Sequence, residues 1–296
     1  MKTAAFLKRF RVDDPEGFDL KQLDCADTGG IDKDKAHKML ADDIERLAEM
    51  QKRLYAQEQW AVLIVLQGMD ASGKDGVVAH VMSGVNPQGC DVHSFKVPTA
   101  EELAHDFLWR TTLRLPARGR IGIFNRSYYE EVLVVRVHPE ALQREKVPAG
   151  LVGKSVWKER CQDIRAFERH LVRDGTVVLK FFLHISKEEQ RQRFLDRLDD
   201  PAKRWKFSMN DVTERRRWNA YQAAYEDAIK FTSRPAAPWY VVPAHHKWFA
   251  RLLVAAAVIE ALDRLDLDFP RIEGRALKDL RKVRQALEAE VPGKAR

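Results

Sequence analysis

The feature that most constrains the fold of this chain is an apolar run followed at once by a glycine-rich loop. Residues 61–66 (AVLIVL) predict a strand buried on both faces, and residues 68–75 (GMDASGKD) fit the pattern G-x-x-x-x-G-K. Glycines at this spacing let successive backbone N–H groups point inward, and the start of the next helix adds partial positive charge. We therefore predict a phosphate-binding loop in which Lys74 reaches the transferable phosphate; a tight turn with an exposed lysine is the alternative. The residues expected to line the phosphate are Gly68, Ala71, Ser72, Gly73 and Gly76.

Further strand patterns alternate with helical patterns along the chain. Strands are predicted at residues 91–95, 120–125, 176–185 and 239–242, and helices at 32–59, 100–113, 157–172, 246–265 and 275–290. Strands separated by helices indicate a parallel sheet covered on both sides. We therefore predict an α/β fold, a three-layer sandwich with a five-stranded parallel sheet. Its parts would be an N-terminal arm and helix at 1–58, with residues 1–32 loosely ordered, a phosphate-loop domain at 59–270 and a C-terminal helix at 271–296.

Two aspartates place negative charge in and beside the loop. Asp75 occupies the position after the lysine, where Ser or Thr usually binds Mg²⁺ through its hydroxyl group. A carboxylate is also a hard oxygen ligand, and Asp70 adds a second negative charge that Mg²⁺ would offset. We therefore predict Asp70 and Asp75 as Mg²⁺ ligands, with Mn²⁺ as an alternative ion. For Asp70, capping of the following helix is the competing interpretation.

A polar segment, residues 125–131 (NRSYYEE), ends the third predicted strand. The carboxyl ends of parallel strands form the ligand crevice, so this segment is expected to face the loop. Arg126 is a candidate for bidentate phosphate binding, and a surface ion pair with a neighbouring glutamate is the alternative. Asn125 is a candidate ligand or hydrogen-bond partner. Glu130 or Glu131 would bind metal or orient the phosphoryl acceptor, although adjacent acids at a helix start are also common without such a role.

Cations concentrate between the fourth and fifth predicted strands. The predicted lid, residues 186–220, contains ten Lys or Arg and seven Asp or Glu. A mobile basic flap at this place would exclude water from a phosphoryl-transfer site, whereas a solvated helix with ion pairs is the alternative. Cations spread over several elements would form a track for a polyanion. The candidate phosphate-binding cations are Lys96, Arg110 and Arg120 between the second and third strands, and Arg191, Arg197, Lys203, Arg204 and Lys206 in the lid.

Composition limits the classes of partner and the compartment. The 296 residues carry 51 Lys and Arg against 44 Asp and Glu, which gives a formal charge of +7. This balance favours an anionic partner without choosing among nucleic acid, anionic lipid and phosphorylated molecules. The longest apolar run, residues 252–259, is too short to cross a bilayer, and no basic-then-apolar leader begins the chain. With three scattered cysteines, we expect a cytoplasmic protein with reduced thiols and no membrane partner.

Several motifs, in order, resemble one family. The segments GMDASGKDG, MSGVNPQGC, SFKVPT, GRIGIFNRSYYEEVLVVRVHPE and RWKFS, within residues 53–265, are similar to the family-2 polyphosphate kinases. The resemblance implies a thymidylate-kinase-like P-loop fold and Mg²⁺-dependent, reversible phosphoryl transfer between inorganic polyphosphate and nucleotides. Matched by motif, it implicates Asp70, Lys74, Asp75 and Arg126 in catalysis. The NRSYYEE form resembles the subgroup that phosphorylates both AMP and ADP, which implicates Asn125 and Glu130 as well.

The expected function therefore has one leading form and two alternatives. We expect phosphorylation of AMP or ADP towards ATP, with GMP and GDP as further candidate acceptors. A nucleoside or nucleotide kinase with ATP as donor is the nearer alternative. A basic nucleic-acid-binding protein is the other, but no RNA- or DNA-binding signature is present in the sequence, so we expect no nucleic-acid partner. The resemblance also implies a homo-oligomer, either a dimer or a tetramer.

Overall fold

The glycine-rich loop follows an inner strand of a six-stranded sheet in the computed structural model, which describes residues 3–13 and 15–290. The strands are β1 (Arg11–Val12), β2 (Ala61–Gln67), β3 (Cys90–Ser94), β4 (Ile121–Asn125), β5 (Thr176–His184) and β6 (Trp239–Pro243). Their order across the sheet is β1-β6-β5-β2-β4-β3. Strands β2 to β6 run parallel, and β1 pairs antiparallel with β6. Every residue of β2 is buried, as expected for a strand covered by helices on both faces.

Helices cover the sheet on its two sides. The α-helices are α1 (Thr3–Lys8), α2 (Lys33–Gln57), α3 (Lys74–Val81), α4 (Trp109–Thr112), α5 (Glu130–Val137), α6 (Val156–Arg173), α7 (Lys187–Asp199), α8 (Met209–Arg215), α9 (Trp218–Thr232), α10 (Lys247–Asp263) and α11 (Gly274–Ala289). Helices α2, α3 and α10 pack together as one group, and α5, α6 and α9 as another. This is the three-layer α/β arrangement that the sequence predicted. In the described part of the chain, no helix has the length and apolarity needed to cross a membrane.

Two expectations that concern the N-terminal arm are wrong. Rather than being loosely ordered, it contributes β1, so the sheet has six strands among the described residues and not the five that were predicted. Phe6 and Phe10 of this arm are buried and pack edge-on against Phe249 of α10. Two strand residues and a few separate aromatic rings are too little to produce a periodic pattern, which explains the wrong prediction. Residues 1, 2 and 14 of the arm lie outside the described residues.

The other predicted strands and most predicted helices are confirmed to within a few residues. The exception is the helix expected at 100–113, where the structure has a 3-10 turn at Glu102–Ala104 and, after a break, the four-residue α4. Local capping explains the break. Thr99 and Glu102 cap the first turn reciprocally, and the Asp106 carboxylate accepts a backbone N–H two residues later, which starts a new turn.

Helix α11, which the sequence predicted, is exposed along its whole length. Every residue from 268 to 290 is exposed. The apolar stripe of Leu277, Leu280, Val283 and Leu287 is therefore not buried against the rest of the described chain. Residues 291–296 of the predicted C-terminal segment lie outside the described residues.

Candidate active site

The glycine-rich loop has the strand–loop–helix setting that the sequence predicted. It joins β2 to α3, and Gly73, with φ +107°, directly precedes the first helical residue. L side chains rarely adopt this backbone conformation. Gly68 is required for a different reason, because a Cβ atom there would lie 2.6 Å from Ser72 Oγ and 3.0 Å from the Leu183 carbonyl oxygen. The two glycines therefore let the loop close on itself at the carboxyl end of β2.

Lys74 begins α3 and has only 9% of its surface exposed. Its Nζ donates to the carbonyl oxygens of Gly68 at 2.7 Å and Met69 at 3.3 Å. Burial lowers the pKa of Lys74, and nearby carboxylates, Asp70 foremost, act in the opposite direction. The amino group is thus held over the loop, in surroundings where a bound phosphate would favour its charged form.

Arg126 connects the loop to the segment that follows β4. Its Nη2 lies 3.0 Å from Asp70 Oδ1, and its Nη1 lies 3.6 Å from Glu130 Oε2. Its backbone is left-handed, with φ +64°, which is costly for a residue with a side chain. The glutamate and the aspartate raise the pKa of Arg126, so the guanidinium stays charged. The ion pair that the sequence left as an alternative exists, but it lies inside the site.

Asp75 forms a second link across the site, because Asn125 Nδ2 donates to Asp75 Oδ1 at 2.7 Å. Asp70 does not cap α3, whose N-cap residue is Gly73. The capping interpretation of Asp70 is therefore wrong, and its carboxylate pairs instead with Arg126.

The donor set fits a hard divalent cation that is shared with phosphates. Within the part of the chain that the structure describes, no three His, Cys, Asp or Glu side chains form a group that could hold a metal ion by themselves. Asp70 and Asp75 nevertheless line one cavity together with Asn125. Mg²⁺ commonly uses only one or two carboxylates and takes its other ligands from substrate phosphates and water.

Two cavities meet at this place. The loop cavity, about 1170 Å³, is lined by the glycine-rich loop, the start of α3, and cations from the lid and α10. The side cavity, about 510 Å³, is lined by residues of α5, α8 and α9, of the segment between β3 and β4, and of the 3-10 segment Pro139–Glu145. The residues common to both linings are Asp70, Lys96, Val97, Arg126 and Asp211. A molecule in each cavity would therefore approach the other beside Asp70 and Arg126.

The structure brings most of the predicted site residues to these cavities. The loop cavity is lined by Asp70, Ala71, Ser72, Gly73, Lys74, Asp75, Gly76, Lys96, Asn125, Arg126, Arg197, Lys203 and Lys206. The side cavity adds Gly68, Arg110, Glu130 and Glu131.

Three predicted cations lie elsewhere, since Arg120, Arg191 and Arg204 line neither cavity. Arg120 precedes β4, at the end of the strand away from the loop, and its Nε pairs with Asp91 at 2.7 Å. Arg191 pairs with Glu188 in the exposed first turns of α7. Local ion pairs thus account for part of the basic charge that the sequence assigned to phosphate.

The sequence analysis did not identify two cations of the site, nor the contact that a third cation, Arg193, makes with the loop. Lys247 and Arg251 lie one turn apart at the start of α10 and line the loop cavity, and neither has an ion pair among the described residues. Arg193, in the lid, is 7% exposed and donates from Nη1 to the carbonyl oxygens of Ala71 and Ser72, both at 3.0 Å. It therefore ties α7 to the loop. Basic residues at i and i+4 directly after a strand that ends in the crevice were a signal for the α10 pair.

A buried polar network fixes the backbone that carries Arg126. Tyr129 OH donates to Glu168 Oε1 at 2.8 Å, and Tyr128 OH donates to the same oxygen at 3.0 Å. Lys180 Nζ lies 2.6 Å from Glu168 Oε2, and both charged side chains are almost fully buried. Such a pair is stable only when its hydrogen bonds are complete, so the two tyrosines are held firmly. The catalytic candidates on either side of them are positioned by this network.

The chain is similar to known proteins over most of its length. The family model described as polyphosphate kinase 2 matches residues 30–270. The chain belongs to the polyphosphate kinase 2 family. It is 52% identical over 282 residues to the ADP-polyphosphate phosphotransferase of Rhodopseudomonas palustris, covering 95% of this chain and 98% of that one. It is 49% identical over 269 residues to the AMP/ADP-polyphosphate phosphotransferase of Meiothermus ruber, covering 90% and 97%.

A solved structure of the family agrees with the fold. Polyphosphate kinase 2 from Arthrobacter aurescens TC1 matches with a TM-score of 0.83 and 38% identity, covering 93% of this chain and 98% of that one. The resemblance read from the motifs within residues 53–265 is thereby confirmed at the level of the family. Strands β2 to β6 and the residues that line both cavities lie inside the range that the polyphosphate kinase 2 model matches.

Proposed function

We propose that this chain transfers phosphoryl groups between inorganic polyphosphate and nucleotides, with AMP and ADP as acceptors on the way to ATP. The observation that carries the proposal is the meeting of the two cavities at Asp70 and Arg126, beside Lys74. The larger cavity has the glycine-rich loop and cations from several elements in its wall. The smaller one has a wall in which apolar, acidic and basic side chains are mixed. A polyanion and a nucleotide would meet there end to end.

The loop cavity is suited to a chain of phosphates. Its cations come from the loop, the lid and α10, so positive charge extends along it rather than in one spot. Burial and the neighbouring cations Arg193, Lys203 and Arg251 lower the pKa of Lys247, a sign of surplus positive charge that a polyanion would relieve. The two similar proteins of R. palustris and M. ruber carry polyphosphate in their names, which supports the same donor here.

The side cavity is suited to the acceptor nucleotide. Its volume of about 510 Å³ lies within the range of small-molecule sites. Arg126, at the junction, would bind the terminal phosphate of AMP or ADP and stabilise the transferred group. Glu130 forms an ion pair with Arg126, and burial raises the pKa of its carboxyl group. It would orient that phosphate. GMP and GDP remain candidate acceptors in the same place.

We propose Asp70 and Asp75 as the residues that hold Mg²⁺, or Mn²⁺, together with phosphate oxygens. Asn125 would keep the Asp75 carboxylate turned towards the cavity. When bound, such an ion neutralises charge on the phosphoryl group. The chain's own cations, Lys74 and Arg126, would do the same from the loop and from the segment after β4.

The chemistry needs positioning more than acid–base catalysis. A terminal oxygen of the acceptor phosphate attacks the end phosphorus of polyphosphate, and the bond from that phosphorus to its bridging oxygen breaks. The bridging oxygen keeps the electron pair and leaves as polyphosphate that is one unit shorter. One phosphoanhydride replaces another, so the step is close to balanced and reversible. The acceptor oxygen is already anionic near neutral pH, so no strong general base is required.

The proposal is tested by a donor and acceptor panel with a loop variant. Purified protein with Mg²⁺ receives polyphosphate or ATP as donor and AMP, ADP, GMP or GDP as acceptor, and nucleotide products are separated by chromatography. We expect turnover with polyphosphate, and a loss of at least about 100-fold in Lys74→Ala because a preorganised cation at the transferred group is removed. Thermal melting should show that the variant is folded.

Lys154→Ala, at an exposed position outside both cavities, is the matched control and should keep full activity. Turnover with ATP but not polyphosphate would replace the proposal by the nucleotide-kinase alternative. Absence of turnover with a strong gel shift on nucleic acid would replace it by the nucleic-acid-binding alternative. Substantial residual activity in Lys74→Ala would overturn the role given to that lysine.

Two finer proposals concern assembly and compartment. We propose a homo-oligomer, in which the exposed apolar stripe of α11 would be covered by a second copy of the chain. Analytical ultracentrifugation that gives a monomer at micromolar concentration would reject it.

We propose the cytoplasm as the location, because the three cysteines Cys25, Cys90 and Cys161 are all free thiols, as a reducing compartment would keep them.

A further inference from the structure

Two side chains of α7 bind three successive carbonyl groups of the glycine-rich loop. Gln190 Nε2 donates to the carbonyl oxygen of Asp70 at 3.0 Å. Arg193 Nη1 donates to the carbonyl oxygens of Ala71 and Ser72, both at 3.0 Å. Gln190 is 1% exposed and Arg193 is 7% exposed, so water does not compete freely for these contacts. The helix that begins the lid therefore holds the backbone of the loop directly.

These contacts decide which way the amide groups of the loop point. In a trans peptide unit, the carbonyl group and the N–H of the next residue point in opposite directions. The Asp70 carbonyl group faces α7, so the N–H of Ala71 points away from α7. The Ser72 carbonyl group orients the N–H of Gly73 in the same way. Within the described part of the chain, neither N–H donates to a backbone carbonyl, and both residues line the loop cavity, where such groups suit a phosphate.

The backbone of Ala71 shows that the loop needs this support. Its φ is +63°, in the left-handed region that is costly for a residue with a side chain. Such a conformation persists only where the surrounding structure holds it. Two peptide units meet at Ala71, and the carbonyl group of each is bound by α7, one by Gln190 and the other by Arg193.

We propose that Gln190 and Arg193 are positioning residues that keep the loop amides pointed at the phosphate. The inference rests on the proposed function and adds to it what orients the loop. Gln190 lines neither cavity, so it acts through the loop and not on a substrate. Arg193 lines the loop cavity, but its other three N–H groups donate to Glu189, Ala244 and His245. All five N–H groups of its guanidinium are thus in use, and none is left for a phosphate.

A role of Gln190 in holding the lid alone makes a different prediction. Its Oε1 accepts from Arg215 Nη1 of α8 at 3.2 Å, which joins two helices of the lid. If this contact were its whole role, Gln190→Met and Arg215→Met would have the same effect on the loop. If Gln190 positions the loop, only Gln190→Met changes it, because Arg215→Met leaves the contact with the Asp70 carbonyl group in place.

Hydrogen–deuterium exchange of the protein without ligands measures the order of the loop in peptides that cover residues 66–78. Gln190→Met keeps a side chain of similar size and removes the donor. The N–H of Ser72, which donates to the Met69 carbonyl oxygen at 3.0 Å, should then exchange about fivefold faster or more. Arg193→Lys keeps the charge but not the fork of donors, so it should change exchange in the same direction. Unchanged exchange in the core strands shows that each variant is folded.

Gln192→Met is the matched control, because it is the same substitution at an exposed position of the same helix. The Gln192 amide bonds to Asp196, and the residue lies outside both cavities. This control and Arg215→Met should both leave the exchange of the loop unchanged.

Calorimetric binding of tripolyphosphate with Mg²⁺ links the order of the loop to phosphate. In Gln190→Met, Kd should rise about fivefold or more while the stoichiometry stays the same. The stoichiometry counts folded sites, so a rise in Kd is not caused by unfolded protein. Ala71→Gly in the Gln190→Met background should recover part of this loss, since glycine adopts a positive φ without strain. A loss of packing at Gln190 would not be repaired by that second substitution.

Unchanged exchange of the loop in Gln190→Met overturns the proposal. Faster exchange with an unchanged Kd, or no recovery by Ala71→Gly, overturns it as well. Tripolyphosphate that does not bind the unchanged protein would reject the proposed donor, while the exchange measurement still decides whether α7 holds the loop. Failure of the proposed function and failure of this inference are therefore observed separately.

Discussion

At the scale of single residues, the site depends on how charges are shared. Arg126 is held by Asp70 and Glu130, and Lys74 by two loop carbonyl groups. A phosphate that binds here would compete with these partners, so its binding energy would be a difference between two sets of contacts. Arginine suits the junction because its planar fork can keep one carboxylate while it binds a phosphate, which a lysine cannot do.

The Glu131 carboxyl group gives a pH-dependent prediction at this scale. Its pKa is about 8 in the folded chain against an ordinary value of 4.5, and the charged groups that face it are Glu145, Arg160 and Arg110. The folded state therefore binds this proton more tightly than the unfolded chain, so its contribution to the free energy of unfolding declines as pH rises from about 4.5 towards 8. Glu131→Gln removes the titration. Its melting temperature relative to the unchanged protein should rise by a few degrees between pH 5 and pH 9.

Differential scanning calorimetry at the two pH values measures this shift. Glu159→Gln, the same substitution at an exposed position of α6, serves as the control. A difference between Glu131→Gln and the unchanged protein that stays constant with pH would show that Glu131 is ionised throughout, contrary to its position in the structure.

At the scale of elements, the sequence predicted what periodicity and turn chemistry encode. The strand at 61–66 was predictable because burial on both faces leaves an unbroken apolar run, and the glycine-rich loop because its spacing is strict. β1 was not predictable, since its two residues pair with β6 only through tertiary contact. Whether the side chains of Arg120 and Lys247 lie near the loop was not predictable from the sequence either, for a similar reason. Arg120 precedes β4 at the end away from the loop, and Lys247 begins a helix whose apolar run dominates its pattern.

The cations of α10 lead to the prediction that belongs to this scale. Lys247 and Arg251 lie on adjacent turns of one helix and line the loop cavity without contacting Lys74 in any described hydrogen bond. A long polyphosphate would reach them, whereas tripolyphosphate held at Lys74 and Arg126 would extend little beyond the loop. Lys247→Ala/Arg251→Ala should raise KM for long-chain polyphosphate about tenfold, because two charge contacts are lost. KM for tripolyphosphate should change less than about twofold.

Steady-state kinetics with both donors at fixed free Mg²⁺ and saturating ADP provide the measurement. Lys278→Ala/Lys282→Ala is the matched control, since it also removes two positive charges from adjacent turns of a helix, but on α11 and outside both cavities. An equal rise of KM for the long and the short donor would place the α10 cations at the reacting end. No change with either donor would remove them from the binding surface.

At the scale of the whole molecule, charge is distributed unevenly. The formal charge of +7 is modest for 296 residues, and many cations are neutralised in local pairs such as Arg120–Asp91 and Arg136–Asp227. The wall of the loop cavity has a local surplus of positive charge, because nine Lys or Arg side chains, among them Lys206, Lys247 and Arg251, line it together with four Asp. The field that attracts a polyanion is therefore set by this one surface rather than by the net charge. The total charge can be counted from the sequence. Which cations form local ion pairs and which line the loop cavity cannot, because pairing depends on the folded arrangement.

This division predicts a different salt dependence for the two substrates. Polyphosphate that contacts several cations releases counterions when it binds, so log KM should rise linearly with log salt, by about tenfold or more in KM between 50 and 200 mM KCl. AMP, which we propose binds in the side cavity with its phosphate at Arg126, should show a rise of less than about threefold. The two titrations, at fixed free Mg²⁺, measure the number of phosphate contacts through the ratio of their slopes. Lys247→Ala/Arg251→Ala should lower the polyphosphate slope and leave the AMP slope unchanged. Parallel slopes for the two substrates would mean that salt acts on the whole molecule, and the cation-lined cavity would then not be the place where the polymer binds.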